Sequence, residues 1–149
     1  MKKFLLALFG ICAGASLFAA PVATGGTTPQ GWYDDFAAAQ AEAAKTGRPI
    51  LALFTGSDWC PYCVKLKQNA LDKPDFKDFA EKNLVLFYAD FPDRVQLPAE
   101  LSARNNALAK RFGVRGFPTT VILSPDGKVL GRIGGYVTNY LQRIKRLIK

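Results

Sequence analysis

Cys60 and Cys63 stand two residues apart in the stretch Gly56-Ser57-Asp58-Trp59-Cys60-Pro61-Tyr62-Cys63. Before them runs the apolar segment Ile50-Leu51-Ala52-Leu53-Phe54, bounded by Pro49 and Gly56, which reads as a buried strand. After them, Val64, Leu66, Ala70 and Leu71 alternate with Lys65, Lys67 and Gln68 as on an amphipathic helix. The pair therefore sits at a strand-to-helix junction. The first turn of a helix has unpaired N–H groups and a partial positive charge, and both favour a thiolate over a thiol. Cys60, at or just before that turn, is the expected exposed and activated sulfur, with Cys63 shielded. Pro61 suits the first helical position, where a missing N–H costs nothing. Cys63 lies one turn on, close enough to close a small disulfide ring.

The rest of the composition narrows what such a pair can do. The chain has 149 residues, enough for one domain with a real core, and a net charge of +8 that includes Lys2 and Lys3. It has no histidine, which removes histidine acid–base catalysis and histidine metal ligation. A closed zinc site needs four ligands, and two cysteines fall short unless two chains share the ion, so no metal is expected. A disulfide over two residues closes too small a loop to stabilise a fold much. The pair is read as chemical rather than structural.

Residues 1–20 read as a secretory signal. Lys2 and Lys3 form its charged end, Phe4 to Phe9 with Ile11 and Cys12 its apolar core, and Ala19-Ala20 its small residues. A membrane anchor is the alternative, but the run is short for a span. Removal of this leader would leave Cys60 and Cys63 as the remaining cysteines. Residues 21–31, rich in Gly, Thr and Pro, read as a linker, and residues 32–149 as the folded domain.

The domain pattern runs as follows. Asp34 or Asp35 caps a helix that ends near Lys45, before Gly47 and Pro49. The first strand and the cysteine helix follow. Pro74 to Lys82 carries Phe76, Phe79 and Ala80 at helical spacing. Leu84 to Ala89 is a second strand, apolar on both faces. Phe91 to Leu101 is read as irregular and Ser102 to Phe112 as a helix, with Leu101, Ala107, Leu108 and Phe112 as its apolar set. Thr119 to Leu123 is a strand, Ser124-Pro125-Asp126-Gly127 a hairpin turn, and Lys128 to Ile133 the returning strand. The last helix gathers Leu141, Ile144, Leu147 and Ile148 on one face, with Arg143, Lys145, Arg146 and Lys149 off it. An alternating β-α-β half followed by a hairpin and a covering helix gives an α/β fold, a mixed sheet between helices.

A Cys-x-x-Cys beside this pattern is a thioredoxin-like signature. The chain resembles the thioredoxin superfamily from about Trp32 to Lys149. The resemblance is carried by Trp59-Cys60-Pro61-Tyr62-Cys63, by Asn106 through Thr119 with Gly116-Phe117-Pro118-Thr119 at its end, and by Pro125-Asp126-Gly127. The Ser-Asp-Trp-Cys lead-in looks most like secreted or periplasmic members. The resemblance implies a single-domain thioredoxin-like fold and a thiol–disulfide oxidoreductase. Cys60 would attack and Cys63 resolve, with no cofactor beyond the redox-active Cys60–Cys63 disulfide. Pro118 would be a cis-proline beside the sulfurs, and Trp59, Pro61, Tyr62 and Phe117 would shape the substrate surface.

Two departures stand out. The family's buried aspartate on the preceding strand, counted six residues ahead of the first cysteine, falls on Phe54. Asp58, Asp90 and Tyr88 are the candidates by chain position to take the proton of Cys63 instead. Because the usual acceptor is missing, resolution is the expected slow step near neutral pH, speeding up as pH rises. The dipeptide between the cysteines is Pro61-Tyr62, as in many glutaredoxins, not Gly-Pro. The strong oxidants and isomerases of the family usually carry an added domain, so reduction of protein disulfides is the expected direction. The expected setting is periplasmic or secreted. The expected partners are protein substrates and a membrane thiol electron donor, with no nucleic acid, and the expected state is a monomer. The rival reading is a thioredoxin-fold binding or assembly module with idle cysteines.

Overall fold

The computed structural model describes residues 27–149; the expected leader and most of the expected linker lie outside the described residues. The elements, in order, are α1 (Phe36–Thr46), β1 (Ile50–Thr55), α2 (Pro61–Leu66) running into a π-helical turn (Lys67–Leu71), α3 (Pro74–Asn83), β2 (Val85–Asp90), α4 (Ala99–Arg111), β3 (Thr119–Leu123), β4 (Val129–Gly134) and α5 (Tyr140–Leu147).

Local chemistry sets the boundaries. The Asp35 carboxylate caps α1 by accepting from Ala38 N at 3.0 Å. Gly47, at φ 70°, ends α1 in the left-handed conformation that glycine adopts without strain. Proline opens both α2 and α3. Pro98 is the N-cap of α4, its carbonyl accepting from Ser102 N at 3.0 Å, so that helix begins at Ala99 rather than Ser102.

The four strands form one mixed sheet in the order β2-β1-β3-β4. β1 runs parallel to β2 and antiparallel to β3, which pairs antiparallel with β4. β1 is central and buried along its whole length, as its continuous apolar run requires. Alternation along β1 divides the core into two layers. Leu51 and Leu53 face the layer holding Leu66, Leu71, Phe76, Tyr140 and Ile144, from α2, the π-helical turn, α3 and α5. Ile50, Ala52 and Phe54 face the layer holding Phe36, Ala39, Ala43 and Phe112, from α1 and the end of α4. Trp32 and Tyr33 tie the entering chain to the edge of the sheet. Trp32 packs edge-on to Tyr88 at 5.7 Å, and Tyr33 bridges to Phe87.

Two expected faces differ. On α4, Ala107 is exposed and Asn105 is buried, because Asn105 turns inward to donate from Nδ2 to the Asp90 carbonyl at 3.0 Å. On α2, Val64 stands exposed rather than in the core.

Candidate active site

The strand β1 ends at Thr55, and the loop Gly56–Trp59 delivers Cys60 to the N-cap of α2. Cys60 and Cys63 form a disulfide with a Cα–Cα distance of 5.2 Å. The Cys60 sulfur accepts from Cys63 N at 3.2 Å, and the Cys63 sulfur accepts from Gly56 N at 3.4 Å. Each sulfur thus has a backbone N–H aimed at it, which favours the anionic form once the bond is reduced. Cys60 was expected to be exposed and Cys63 shielded. Instead the two are covered alike, at 4% and 5% of full exposure. The cover over Cys60 comes from the facing loop, where the Phe117 carbonyl lies 3.6 Å from its sulfur.

That loop carries the cis Phe117–Pro118 peptide bond. Pro118 is buried and leads directly into β3, whose pairing with β1 places it at the same end of the sheet as the cysteines. Around the pair stands an apolar rim. Trp59 is 48% exposed and Tyr62 59% exposed, with Pro61 exposed between the cysteines. Phe117 is half-buried; its ring meets Trp59 edge-on at 6.0 Å and stacks on Phe91 at 4.8 Å. The Trp59 indole donates to the Phe91 carbonyl at 2.7 Å, which fixes the ring. Of the sequence-predicted residues, Trp59, Pro61 and Tyr62 flank the cysteines along the chain, Phe117 meets Trp59 and reaches Cys60 through its carbonyl, and Pro118 follows it into β3.

Two residues near the site carry polar work that the sequence reading did not assign. Asp90, at the end of β2, is only 2% exposed. Its Oδ1 accepts from Ser57 N at 3.0 Å and Phe91 N at 2.9 Å, and its Oδ2 accepts from the Ser57 hydroxyl at 2.6 Å. This clamp holds the loop that presents Gly56 N to Cys63. The sequence marks Asp90 as a candidate acceptor for the Cys63 proton but not as a clamp, and nothing in it marks Ser57. Asp58 turns its carboxylate to the next loop, accepting from Asp93 N at 2.9 Å and Arg94 N at 2.7 Å. Those bonds, the Asp93 N–H first, hold its carboxyl below the usual range.

Behind the disulfide is a cavity of about 580 Å³, walled by Cys63, Leu53, Thr55, Ser57 and Tyr88 among others. Burial, with the Asp90 charge behind it, pushes the Tyr88 hydroxyl well above the ordinary tyrosine range, so it stays protonated. Leu53, not Phe54, faces this cavity. Counting six residues back from Cys60 reaches Phe54, but that ring points into the opposite layer, edge-on to Phe112 at 6.1 Å. Leu53 is no more able than Phe54 to take a proton. Among the described residues, no group of three or more His, Cys, Asp or Glu side chains is arranged to hold a metal ion.

Comparison with known proteins agrees with this geometry. A family model described as a thioredoxin-like domain matches residues 36–147. The chain is 33% identical over 120 residues to the disulfide bond reductase DsbH of Chlamydia pneumoniae, across 78% of this chain and 72% of that protein. A solved structure of a DsbH oxidoreductase superposes with a TM-score of 0.72 at 29% identity, covering 99% of this chain and 94% of that one. A thioredoxin from Thermus thermophilus superposes with a TM-score of 0.60 at 25% identity, over 78% and 85% of the two chains.

Proposed function

The chain belongs to the thioredoxin-like family and is a thiol–disulfide oxidoreductase, and from this we propose that it reduces protein disulfides outside the cytoplasm, with Cys60 attacking and Cys63 resolving. One observation carries the assignment of roles. Cys60 is the sulfur at the α2 N-cap that lies 3.6 Å from the Phe117 carbonyl, on the loop of the cis Phe117–Pro118 bond. Cys63, by contrast, lines the adjoining cavity.

The reaction follows from sulfur chemistry. The Cys60 thiolate attacks one sulfur of a substrate disulfide; a Cys60–substrate bond forms and the other substrate sulfur leaves as a thiolate. Cys63, as a thiolate, then attacks the Cys60 sulfur. The Cys60–Cys63 bond forms, the second substrate thiolate leaves, and the enzyme is left oxidised. The exposed rings of Trp59 and Tyr62, with Pro61, give an extended substrate segment an apolar seat. Phe117 and Pro118 border it on the facing loop.

Each turnover consumes two electrons. A membrane thiol carrier is the proposed donor, because the cytoplasmic pool does not reach that compartment. The relative named as a disulfide bond reductase supports the direction. Equilibrating the protein in graded thiol–disulfide buffers tests it. A potential near the thioredoxin end of the roughly −270 to −120 mV family range is expected, and one near the oxidising end would contradict a reductase. Fractionation of cells making the full chain tests the compartment; a cytoplasmic, unprocessed product would contradict it.

A further inference from the structure

Resolution needs Cys63 as a thiolate, since the thiol is a poor nucleophile. Cys63 is buried, and burial disfavours the charged sulfur. The chain has no histidine to take its proton. The structure offers one hydrogen-bonded acceptor pair on the cavity wall that Cys63 shares. Ser57 and Cys63 line the same cavity, and Ser57 directly follows Gly56, whose N–H meets the Cys63 sulfur at 3.4 Å. The Ser57 hydroxyl in turn donates to Asp90 Oδ2 at 2.6 Å, while Asp90 Oδ1 is held by two backbone N–H groups.

We propose that Asp90, acting through the Ser57 hydroxyl, takes the proton of Cys63 in the resolving step. The proposal rests on Cys63 being the resolving cysteine. The Cys63 proton passes to Ser57 Oγ as the Ser57 proton passes to Asp90 Oδ2. The freed Cys63 thiolate attacks Cys60, the Cys60–Cys63 bond forms, and the Cys60–substrate bond breaks. The departing substrate thiolate takes a proton from solvent, and Asp90 gives its own back through Ser57. No oxidant or reductant is needed beyond the mixed disulfide itself. Asp90 thus supplies what neither Leu53 nor Phe54 can, and resolution near neutral pH is then fast, in place of the slow step expected from the sequence.

The surroundings leave this pair the fitting acceptor. From β2, Tyr88 lines the cavity beside Ser57 as a protonated phenol, which is no base for a thiol's proton. From the π-helical turn, Lys67 lines the cavity paired with Asp72 at 2.6 Å. From α3, Lys77 and Glu81 stand on the cavity wall and are exposed to solvent. From α4, Asn105 is uncharged and holds the Asp90 carbonyl. From the loop, the Asp58 carboxylate is turned to the Asp93 and Arg94 N–H groups.

Stopped-flow reaction of the reduced protein with dithiobis(nitrobenzoate) separates the two steps. The first coloured thiolate marks attack by Cys60 and the second marks resolution by Cys63. In the unmodified protein the second phase is expected to be fast and flat across neutral pH. In Ser57→Ala and Asp90→Asn it is expected to slow by about 10²-fold, the low end of general-base contributions. It should then rise about tenfold per pH unit, as the thiolate fraction does below a thiol's pKa. Ser57→Thr, which keeps the hydroxyl, should restore rate and profile. The first phase should stay within about twofold throughout. A second phase in Ser57→Ala with the rate and profile of the unmodified protein would overturn the proposal. So would Ser57→Thr behaving like Ser57→Ala, or both phases slowing together. Where Asp90→Asn does not fold, the two Ser57 variants decide. An absent first phase would instead defeat the role given to Cys60.

Discussion

Adding one methyl group at Gly56 tests how the loop and the rim are fitted together. A Cβ built on Gly56 would lie 2.6 Å from Trp59 Cε2, 2.7 Å from Nε1 and 2.8 Å from Cζ2. Carbon atoms in contact prefer about 3.5–4.0 Å, so the indole must retreat by about an ångström. It is not free to do so without loss. Its N–H donates to the Phe91 carbonyl at 2.7 Å and its face meets Phe117. A net hydrogen bond is worth about 0.5–1.5 kcal/mol, and overpacking typically costs about 1–3 kcal/mol. Because Trp59 is half-exposed and its ring can swing outward, the total for Gly56→Ala is set at about 2 kcal/mol. With a urea slope of about 2 kcal/mol per molar, the midpoint falls by about 1 M. Urea unfolding of the oxidised protein by circular dichroism reads the midpoint, and the Trp59 indole N–H resonance reads the ring. A change under about 0.5 kcal/mol with that resonance unmoved would refute the packing of Trp59 on Gly56.

Three other outcomes are expected. Phe54→Asp should destabilise by at least the ~3–5 kcal/mol typical of Phe→Ala in a core, because it also buries a carboxylate among rings. It should not speed resolution, since position 54 faces away from the cavity with Cys63; urea unfolding and stopped flow check the two halves. Tyr140→Phe should cost about 1–3 kcal/mol in urea unfolding, because the buried Thr120 hydroxyl loses its partner at 2.7 Å. The third is a pH effect at Asp58, whose folded pKa is depressed. Its hold on the loop after β2 is whole above the unfolded value of about 3.9 and is lost as pH falls through the lower folded value. Amide exchange at Asp93 and Arg94, corrected for intrinsic rates, should lose protection only below about pH 4.

The parts of the fold and site that were legible in the sequence are those with local causes. Asp35 and Gly47 announce the ends of α1, and Pro61 marks the start of α2 beside Cys60. The continuous apolar runs announce β1 and β2. The cis bond before Pro118 came from family likeness, since no local rule distinguishes it from an ordinary loop proline. What escaped depends on distance in three dimensions. The near-equal cover of Cys60 and Cys63 is set partly by Phe117, more than fifty residues away along the chain. Counting back from Cys60 picked Phe54 because the loop length before the cysteines cannot be read from spacing, whereas strand alternation turns Leu53 to the cavity. Asn105 looked like a surface residue on α4, and its burial follows from the Asp90 carbonyl that it meets.

Trapping the mixed disulfide tests the division of labour between the two cysteines most directly. Reduced Cys63→Ser protein is mixed with oxidised insulin, quenched with acid, and resolved on a non-reducing gel with mass-spectrometric mapping. A reductant-sensitive adduct joined through Cys60 is expected, persisting because no resolving thiol remains. Cys60→Ser protein under the same conditions should give no comparable adduct. Adducts forming equally in Cys60→Ser, or absent from Cys63→Ser, would contradict attack by Cys60 and resolution by Cys63.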